Sequence, residues 1–298
     1  MASFPADPTP LTSGNTRVKN ARKLARRSCR AEERLFLADG PKAVEGALDV
    51  PGCVVEVFAT ADATRQYAAL AAAAPVWTLV DDRALASLSD SVNPAGVVAV
   101  ARFLDRPLAH VLDRVRVGQP SVQPSVAEPR GTVVEPVETT LLAICADVRD
   151  PGNAGTVVRC ADAAGADAVV FAGHSVDAYN PKTVRASVGS LFHLPIAVEP
   201  DPAAAVRAAQ AAGLVVLAAD GAGEADLDES EALLARPTAW LFGNEAWGLP
   251  DELAALADHR VRIPIHGRAE SLNLSTAAAL CLYASARAQR AGRAPQQG

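Results

Sequence analysis

The sequence is poor in several residue types on which particular classes of protein depend. Aromatic residues make up 4% of the 298 residues, and there is one methionine. The cysteines are scattered, with no C-x-x-C pair: Cys29, Cys53, Cys145, Cys160 and Cys281. This odd, widely spaced set argues against a disulfide framework or a zinc site and fits a reducing cytoplasm. The five histidines include no H-E-x-x-H, so no metal is expected.

Long apolar runs and phosphate-binding loops are also missing. No apolar run reaches the roughly 18 residues that span a membrane, and the first residues, MASFPADPTPLTSGN, lack a signal-peptide pattern. We therefore expect no membrane association. No G-x-G-x-x-G, Walker A or G-x-S-x-G sequence is present. The absence of these loops disfavours a nucleotide-binding α/β protein.

Positive charge is concentrated in one short segment of an acidic chain. The net charge is −6, so the chain as a whole is not a polybasic nucleic-acid binder. Eight basic residues nevertheless fall between residues 15 and 34: Arg17, Lys19, Arg22, Lys23, Arg26, Arg27, Arg30 and Arg34. Such a stripe can bind phosphates without reading sequence. The alternative interpretation is an ordinary solvated helix face.

The order of apolar and polar segments predicts two α/β domains. Residues 1–14 are rich in proline, serine and threonine and are predicted to be disordered. Strands alternate with helices over 15–104, which favours a parallel-type α/β layer. The proline-rich stretch 105–138 predicts a linker or insertion. Over 139–298 the alternation resumes, with five buried-type strands that predict a second α/β layer.

Polar residues that follow apolar runs are the candidates for chemistry, because ligands gather at the carboxyl ends of parallel strands. Asn153 opens one such segment, and Arg159 follows it inside an apolar helix. A buried, unpaired charge is costly, so Arg159 is expected either to pair, with Glu245 as the candidate partner, or to serve the function. The other two segments are LFGNEAWGLP (241–250) and IPIHGRAESLNLSTAAALCLY (263–283). Their polar residues have the alternative interpretation of helix caps or turn formers.

These three segments, in this order, resemble the motifs of the SpoU/TrmH branch of the SPOUT RNA 2′-O-ribose methyltransferases. The stretch YNPKTVRASVGSLFHLPI (179–196) resembles the region between the first two motifs, and RLFLADGPKAVEGAL resembles an L30e-like RNA-binding domain. The resemblance covers nearly all of 15–290. It implies an α/β fold with a C-terminal knotted SPOUT (α/β-knot) domain at 139–298 and a smaller N-terminal L30e-like domain at 15–104.

The resemblance also implies roles for individual residues. The catalytic set is Arg159, Asn153, Glu245, Ser271 and Asn273. The cofactor S-adenosylmethionine (AdoMet) is expected at Gly243, Asn244, Ile263 and Leu272, gripped largely by main-chain groups. RNA contacts are expected at Arg17, Lys19, Arg22, Lys23, Arg26, Arg27, Lys182 and Arg185, although Lys182 and Arg185 also fit a plain helix start with exposed charge.

For Arg159 two roles are open: general base for the ribose hydroxyl, or holder of a phosphate or the emerging alkoxide. Because arginine stays protonated in proteins, we favour the second role, in which rate comes from positioning and charge stabilisation.

The expected activity is AdoMet-dependent 2′-O-methylation of a ribose in 23S rRNA, in the cytoplasm. The resemblance implies a homodimer, and it leaves open whether Arg159 serves the cofactor of its own subunit or of the partner. Transfer RNA is the alternative substrate. A non-catalytic RNA-binding protein on the same scaffold is the rival function.

Overall fold

The computed structural model describes residues 9–115 and 140–291. Its helices are α1 (Thr16–Lys23), α2 (Arg27–Glu33), α3 (Pro41–Asp49), α4 (Ala61–Gln66), α5 (Ala68–Ala73), α6 (Asp82–Ala86), α7 (Leu108–Val115), α8 (Pro151–Ala164), α9 (Pro181–Ser187), α10 (Pro202–Ala211), α11 (Glu231–Leu234), α12 (Asp251–Ala254) and α13 (Leu274–Ala291). Its strands are β1 (Leu35–Asp39), β2 (Val54–Ala59), β3 (Trp77–Leu79), β4 (Val97–Arg102), β5 (Leu141–Ala146), β6 (Ala168–Ala172), β7 (Ile196–Glu199), β8 (Val215–Ala219), β9 (Ala225–Asp226), β10 (Thr238–Phe242) and β11 (His259–Arg262).

The chain forms two compact units. Unit 1 consists of Met1–Leu104 and Asp177–His193, and unit 2 of Asp105–Val176 and Leu194–Gly298. The sequence predicted one continuous domain from residue 139 onward. The difference is the segment 177–193, which packs with the N-terminal part of the chain.

Unit 1 is built on a four-stranded sheet in the order β1-β4-β2-β3. Strand β4 runs antiparallel to both β1 and β2, whereas β2 and β3 are parallel. The predicted strands are all present, but the prediction of a parallel-type layer is wrong for this unit. The sequence pattern locates strands, and it does not report that β4 enters between β1 and β2 in the opposite direction.

Two local features of unit 1 also differ from the sequence prediction. The sequence ATRQYAALAAAA (63–74) predicts one continuous helix. The structure divides it into α4 and α5 at Tyr67, whose dihedrals of φ −112° and ψ 45° are not helical. The predicted disorder of 1–14 falls partly on residues 1–8, outside the described residues. Beyond them, Leu11 forms a parallel β-bridge with Val80, so ordered structure begins earlier than predicted.

A buried ion pair holds segment 177–193 in unit 1. The side chain of Arg30 is 2% exposed, and both its Nε (2.9 Å) and Nη2 (2.7 Å) donate to Asp177 Oδ2. Its Nη1 donates to the carbonyls of Leu24 and Ala25 at 2.9 and 2.8 Å. All three guanidinium nitrogens therefore donate to an acceptor, which offsets the cost of burying the charge. One member of the basic stripe is thus part of the interior rather than of the surface.

Aromatic rings also pack segment 177–193 against the rest of unit 1. The ring centroid of Tyr179 lies 3.9 Å from that of Phe103 and 4.7 Å from that of Phe36. The ring of Phe192 also stacks on that of Phe36, with centroids 5.9 Å apart. Helix α3 can approach this turn because Gly46 has no side chain: a Cβ there would lie 3.0 Å from the Phe192 ring. These contacts place part of the sequence between β6 and β7 in the core of unit 1.

Unit 2 is built on a seven-stranded sheet in the order β7-β6-β5-β10-β8-β11-β9, in which every pair is parallel. The parallel prediction is confirmed here. Strands β7 and β9, which lie at the edges of the sheet, were not predicted, because they are short and carry exposed or half-buried positions. Central strands such as β5 and β10 are buried on both faces and read as continuous apolar runs.

The predicted linker over 105–138 begins with folded structure. Val111 and Leu112 of α7 belong to the same buried cluster as Leu142 and Ile144 of β5. The rest of that predicted linker, from residue 116, lies outside the described residues.

We predict that the Arg30–Asp177 pair is necessary for the stability of unit 1. Asp177→Ala leaves a buried guanidinium without its carboxylate, which should cost about 3–5 kcal/mol. Hydrogen exchange of the β1 and β4 amides measures this loss. The matched control is Asp62→Ala, which removes the partner of Arg65 in an exposed pair and should cost less than about 1 kcal/mol.

The double variant Arg30→Met/Asp177→Leu should be more stable than Asp177→Ala, because no buried charge is left unpaired. Equal protection of the β1 amides in Asp177→Ala and Asp62→Ala would show that the buried pair does not stabilise the unit.

Candidate active site

The loops at one edge of the unit 2 sheet bring the predicted residues together. Neighbouring strands β5, β10, β8 and β11 are parallel and in register, with Phe242 opposite Cys145 and Leu241 opposite Ala218. The segments that follow these strands therefore leave the sheet at the same edge. They begin at residues 147, 243, 220 and 263.

Glu245 links the loop after β10 to the start of α8. Its Oε2 accepts from the Arg149 N–H at 3.0 Å, and its Oε1 accepts from the Asp150 N–H at 2.9 Å and from Asn153 Nδ2 at 3.3 Å. A carboxylate is favoured at this place because the amide groups that open a helix have no partner within the helix and carry partial positive charge. The two loops are therefore held in one geometry by a single side chain.

An amide pair extends this network to the last helix. Asn273 Nδ2 donates to Asn153 Oδ1 at 3.0 Å. The Oδ1 of Asn273 accepts from the Ser275 N–H at 2.9 Å and from its hydroxyl at 2.6 Å, and so caps the start of α13. Three of the predicted catalytic residues, Asn153, Glu245 and Asn273, thus form one hydrogen-bonded chain across three segments. Asn273 therefore caps α13, and its catalytic role stays a prediction.

Arg159 does not join this network. Its side chain is exposed, and no hydrogen bond or ion pair involves it among the described residues. It lies six residues after Asn153, or about 9 Å along a helix with a rise of 1.5 Å per residue. The expected pairing of Arg159 with Glu245 is wrong, because the Glu245 oxygens are used by amides at the start of α8. Arg159 is left available to a group from outside this chain.

The loop after β10 has a shape that only certain residues permit. A Cβ at Gly243 would lie 2.4 Å from the backbone of Gly248, so this position must be glycine. Asn244 and Gly248 exchange two main-chain hydrogen bonds of 2.9 Å. The Asn244 side chain donates to the Asp147 carbonyl and accepts from the Ala246 N–H, both at 2.8 Å. Asn244 therefore braces the loop, and its direct contact with a cofactor stays a prediction.

The segment between β11 and α13 offers free main-chain groups. Ile263 and Leu272 are half-buried, and Ser271 is exposed. Residues 264–272 form no regular structure, and their main-chain N–H and C=O groups make no hydrogen bond within the described part of the chain. Such groups can pair with the edge of an adenine ring, so this segment fits the predicted grip on AdoMet.

Cysteine chemistry is excluded at this edge. Burial raises the pKa of the Cys145 thiol to about 12, and the negative charge of Glu245 adds to the rise. Burial also raises the pKa of Cys160, which the positive charge of Arg159 partly opposes. Because the thiolate is the reactive form, both shifts oppose a nucleophilic role for these thiols.

The predicted RNA-binding residues lie in unit 1, where the structure divides them into two groups. Lys19, Arg22, Lys23 and Arg26 together line an open cleft of about 350 Å³, and Arg27 is exposed beside α2. In the second group, Arg17 pairs with Glu56, and Arg185 pairs with Asp90. Lys182 is exposed on α9.

Sequence reasoning did not single out Asp150 or Trp247. Asp150 Oδ1 accepts from the Asn153 N–H at 2.8 Å and caps α8. An Asp-Pro pair before a helical pattern is the signal that could have identified it. Trp247 is 62% exposed in the braced loop beside Glu245. The sequence gives no sign of that exposure.

Within residues 9–115 and 140–291, no group of three or more histidine, cysteine or acidic side chains could hold a metal ion. Over the same ranges, no helix is both long and apolar enough to cross a membrane.

The fold and the site define a class of two-unit α/β proteins in which loops at the carboxyl edge of a parallel sheet carry convergent amide and carboxylate groups. Comparison with known proteins makes the class specific. Residues 140–283 match the SpoU rRNA Methylase family, and residues 15–99 match the MRM3-like substrate binding domain. The chain belongs to the SpoU family of RNA methyltransferases.

Two curated relatives support this assignment. The chain is 32% identical over 272 residues to the 23S rRNA (guanosine(2553)-2′-O)-methyltransferase RlmP of Bacillus subtilis, covering 90% of this chain and 95% of the relative. It is 40% identical over 164 residues to the 23S rRNA (uridine(2479)-2′-O)-methyltransferase of Streptomyces viridochromogenes, a match that spans 53% of this chain and 56% of that protein.

Solved structures agree with the assignment. An AdoMet-bound rRNA methyltransferase from Sinorhizobium meliloti is 33% identical, with a TM-score of 0.73, covering 94% of this chain and 97% of that one. The SpoU methyltransferase AviRb from Streptomyces viridochromogenes in complex with AdoMet is 30% identical, with a TM-score of 0.73, covering 92% and 97%. The predicted family and SPOUT fold class are confirmed.

We predict that Glu245 fixes the start of α8. Glu245→Ala removes the acceptor of three donors at the start of α8. The Arg149 and Asp150 amides should then exchange with solvent more than tenfold faster by NMR. Glu252→Ala, at an exposed glutamate of α12, is the control and should leave both amides unchanged. Unchanged exchange in Glu245→Ala would contradict the assignment of these bonds.

Proposed function

We propose that this protein transfers a methyl group from AdoMet to the 2′-hydroxyl of a ribose in 23S rRNA. The observation that carries the proposal is the hydrogen-bonded convergence of Asn153, Glu245 and Asn273 at the carboxyl edge of the unit 2 sheet, in a chain of the SpoU family. Relatives that match most or half of the chain are named as 23S rRNA 2′-O-methyltransferases, which supports this RNA over transfer RNA. The cytoplasm follows as the location, because that is where this RNA is found.

AdoMet, when bound, supplies a methyl group on a positively charged sulfur that leaves as a neutral thioether. We assign its adenine to the free main-chain groups of 264–272 and to the glycine-lined approach at Gly243. The protein's task is then to place the ribose oxygen in line with the methyl group and to stabilise charge as the oxygen loses its proton. Positioning of this kind contributes several kcal/mol to a transfer reaction.

Arg159 is assigned the anionic groups of the RNA. It is cationic, exposed and without a hydrogen bond or ion pair among the described residues, so a phosphate or the emerging alkoxide need not displace an internal partner. A guanidinium presents a fork of N–H donors that matches two oxygens at once. Asn153, Ser271 and Asn273 are assigned the orientation of the ribose and cofactor.

We further propose that the enzyme is a homodimer with a shared active site. Helix α13 exposes Leu280 (45%) and Tyr283 (49%), and the Tyr283 hydroxyl donates to the Ala163 carbonyl of α8 at 3.3 Å. Apolar area on α13 thus lies beside the helix that carries Arg159. A second copy that covers this area would receive Arg159 next to its cofactor. The family resemblance also implies a trefoil knot in unit 2, with β10 placed between β5 and β8.

The function is tested by mapping 2′-O-methylation across rRNA and tRNA in a deletion strain. The strain should lack one methyl mark in 23S rRNA, which the wild-type gene restores and the Arg159→Ala gene does not. Calorimetry should find AdoMet bound to both proteins with similar affinity. If the methyl mark that the deletion strain lacks is in tRNA, transfer RNA is the substrate. Absence of AdoMet binding by the wild-type protein would instead favour a non-catalytic RNA-binding scaffold.

The role of Arg159 is tested by kinetics. Arg159→Ala should lower kcat at least 100-fold, as expected for loss of a group that stabilises transition-state charge, whereas Arg207→Ala on α10 should not. If Arg159 stabilises negative charge and does not accept the proton, the pH profile of the single-turnover rate should show no essential base that titrates below pH 9. An inflection that is present in the wild type and absent in Arg159→Lys would establish the general-base role.

Mixing two inactive proteins tests sharing of the site. After subunit exchange, Arg159→Ala and Asn273→Ala should together recover about a quarter of wild-type activity, since half of the dimers carry one intact site. Recovery of none would place Arg159 and Asn273 in the same chain's site.

A further inference from the structure

Unit 1 contains a cavity that the proposed methyl transfer does not use. It has a volume of about 580 Å³, within the roughly 300–1,000 Å³ of small-molecule sites. Helices α1 and α2 form its walls, and the sheet forms its floor. Its lining residues include Lys23, Glu32, Glu33, Leu35, Val55 and Phe58.

The floor of the cavity is apolar and incompletely covered. Phe58 and Val100 are buried, but Leu35 and Val55 are only half-buried at the edge of the same core cluster. A flat, apolar ligand that covers this floor would bury the exposed apolar surface of Leu35 and Val55, which is favourable. The site therefore suits a ring rather than an ion.

The charges of the cavity and of its neighbour have opposite signs. Glu32 and Glu33 of α2 line the cavity with exposed carboxylates, whereas Glu56 is engaged by Arg17 and by the Thr78 hydroxyl. The cleft of Lys19, Arg22, Lys23 and Arg26 adjoins it, with Lys23 in both. A phosphate is repelled by the first pair and attracted to the second set. A nucleotide with its base in the cavity and its phosphates along the cleft satisfies both.

We propose that this cavity receives one unpaired guanine base of the RNA substrate, with the neighbouring phosphates along the Lys19–Arg26 cleft. Guanine presents adjacent N–H donors, N1–H and the 2-amino group, on one edge, and a carboxylate accepts such a pair. Proteins read unpaired RNA bases in this way, through hydrogen bonds to base edges and contact with base faces. The inference deepens the proposed function by giving unit 1 a base-specific contact with the RNA.

The decisive test uses the sign of an effect on RNA affinity. In the full-length Glu32→Gln/Glu33→Gln variant, two negative charges near a polyanion are removed. Electrostatics alone predicts tighter binding of the RNA, whereas loss of the guanine acceptors predicts weaker binding. We expect the KM for the RNA fragment to rise about tenfold, with kcat and AdoMet affinity unchanged. Glu45→Gln, at an exposed glutamate of α3 outside the cavity, is the matched control and should leave the KM unchanged.

A second measurement avoids any loss of folding in a variant. Titration of the wild-type protein with GMP should shift the methyl resonances of Leu35 and Val55, while AMP and inorganic phosphate should not. Shifts of equal size with inorganic phosphate, or with all nucleotides alike, would overturn the guanine site.

The two proposals fail separately. If the wild type methylates 23S rRNA but Glu32→Gln/Glu33→Gln binds it as tightly or more tightly, the cavity proposal is wrong and the enzyme remains. If GMP-specific shifts and weakened RNA binding are found in a protein that transfers no methyl group, the cavity stands and the proposed reaction does not.

Discussion

The carboxylate of Glu245 is the interaction on which the candidate site depends. It accepts from two main-chain amides at the start of α8 and from Asn153, and Asn153 in turn is held by Asn273. Glu245 lies 92 residues and Asn273 lies 120 residues beyond Asn153 in the chain, so three separate segments share one geometry. A carboxylate is favoured here because the opening amides of a helix need acceptors. The same contacts leave the exposed Arg159 side chain outside the network.

Unit 1 depends on a different kind of interaction. Arg30 sits in a row of basic residues, and it alone turns into the interior to meet Asp177, 147 residues away. Its neighbours Arg22 and Arg26 remain in an open cleft. Arginines that look alike in the sequence therefore have two roles: Arg30 stabilises the interior, whereas Arg22 and Arg26 lie where a phosphate could bind. In the adjoining cavity, the carboxylates of Glu32 and Glu33 can accept hydrogen bonds from a base, whereas they would repel a phosphate.

Most secondary structure could be predicted because it is governed locally. The central strands of unit 2 are runs of apolar residues, and the caps at Asp81, Asp150 and Asn180 precede helices as their chemistry favours. The prediction failed where a distant partner decides. Strand β4 lies between β1 and β2 and runs antiparallel to both. The sequence of β4 alone does not show which strands it will pair with. Edge strand β7 is four residues long and only its first two residues are buried, so its own sequence gives a weak signal.

The sequence by itself determined the alternation of strands and helices, the polar residues at strand ends and the three ordered motifs of the family, since each is written in short contiguous segments. Only the tertiary structure decided which charges meet. Glu245 turned to amides rather than to Arg159, and Arg30 to Asp177 rather than to solvent. Such choices depend on distances between segments far apart in the chain. Those distances are fixed by sheet order and packing, which local patterns do not encode.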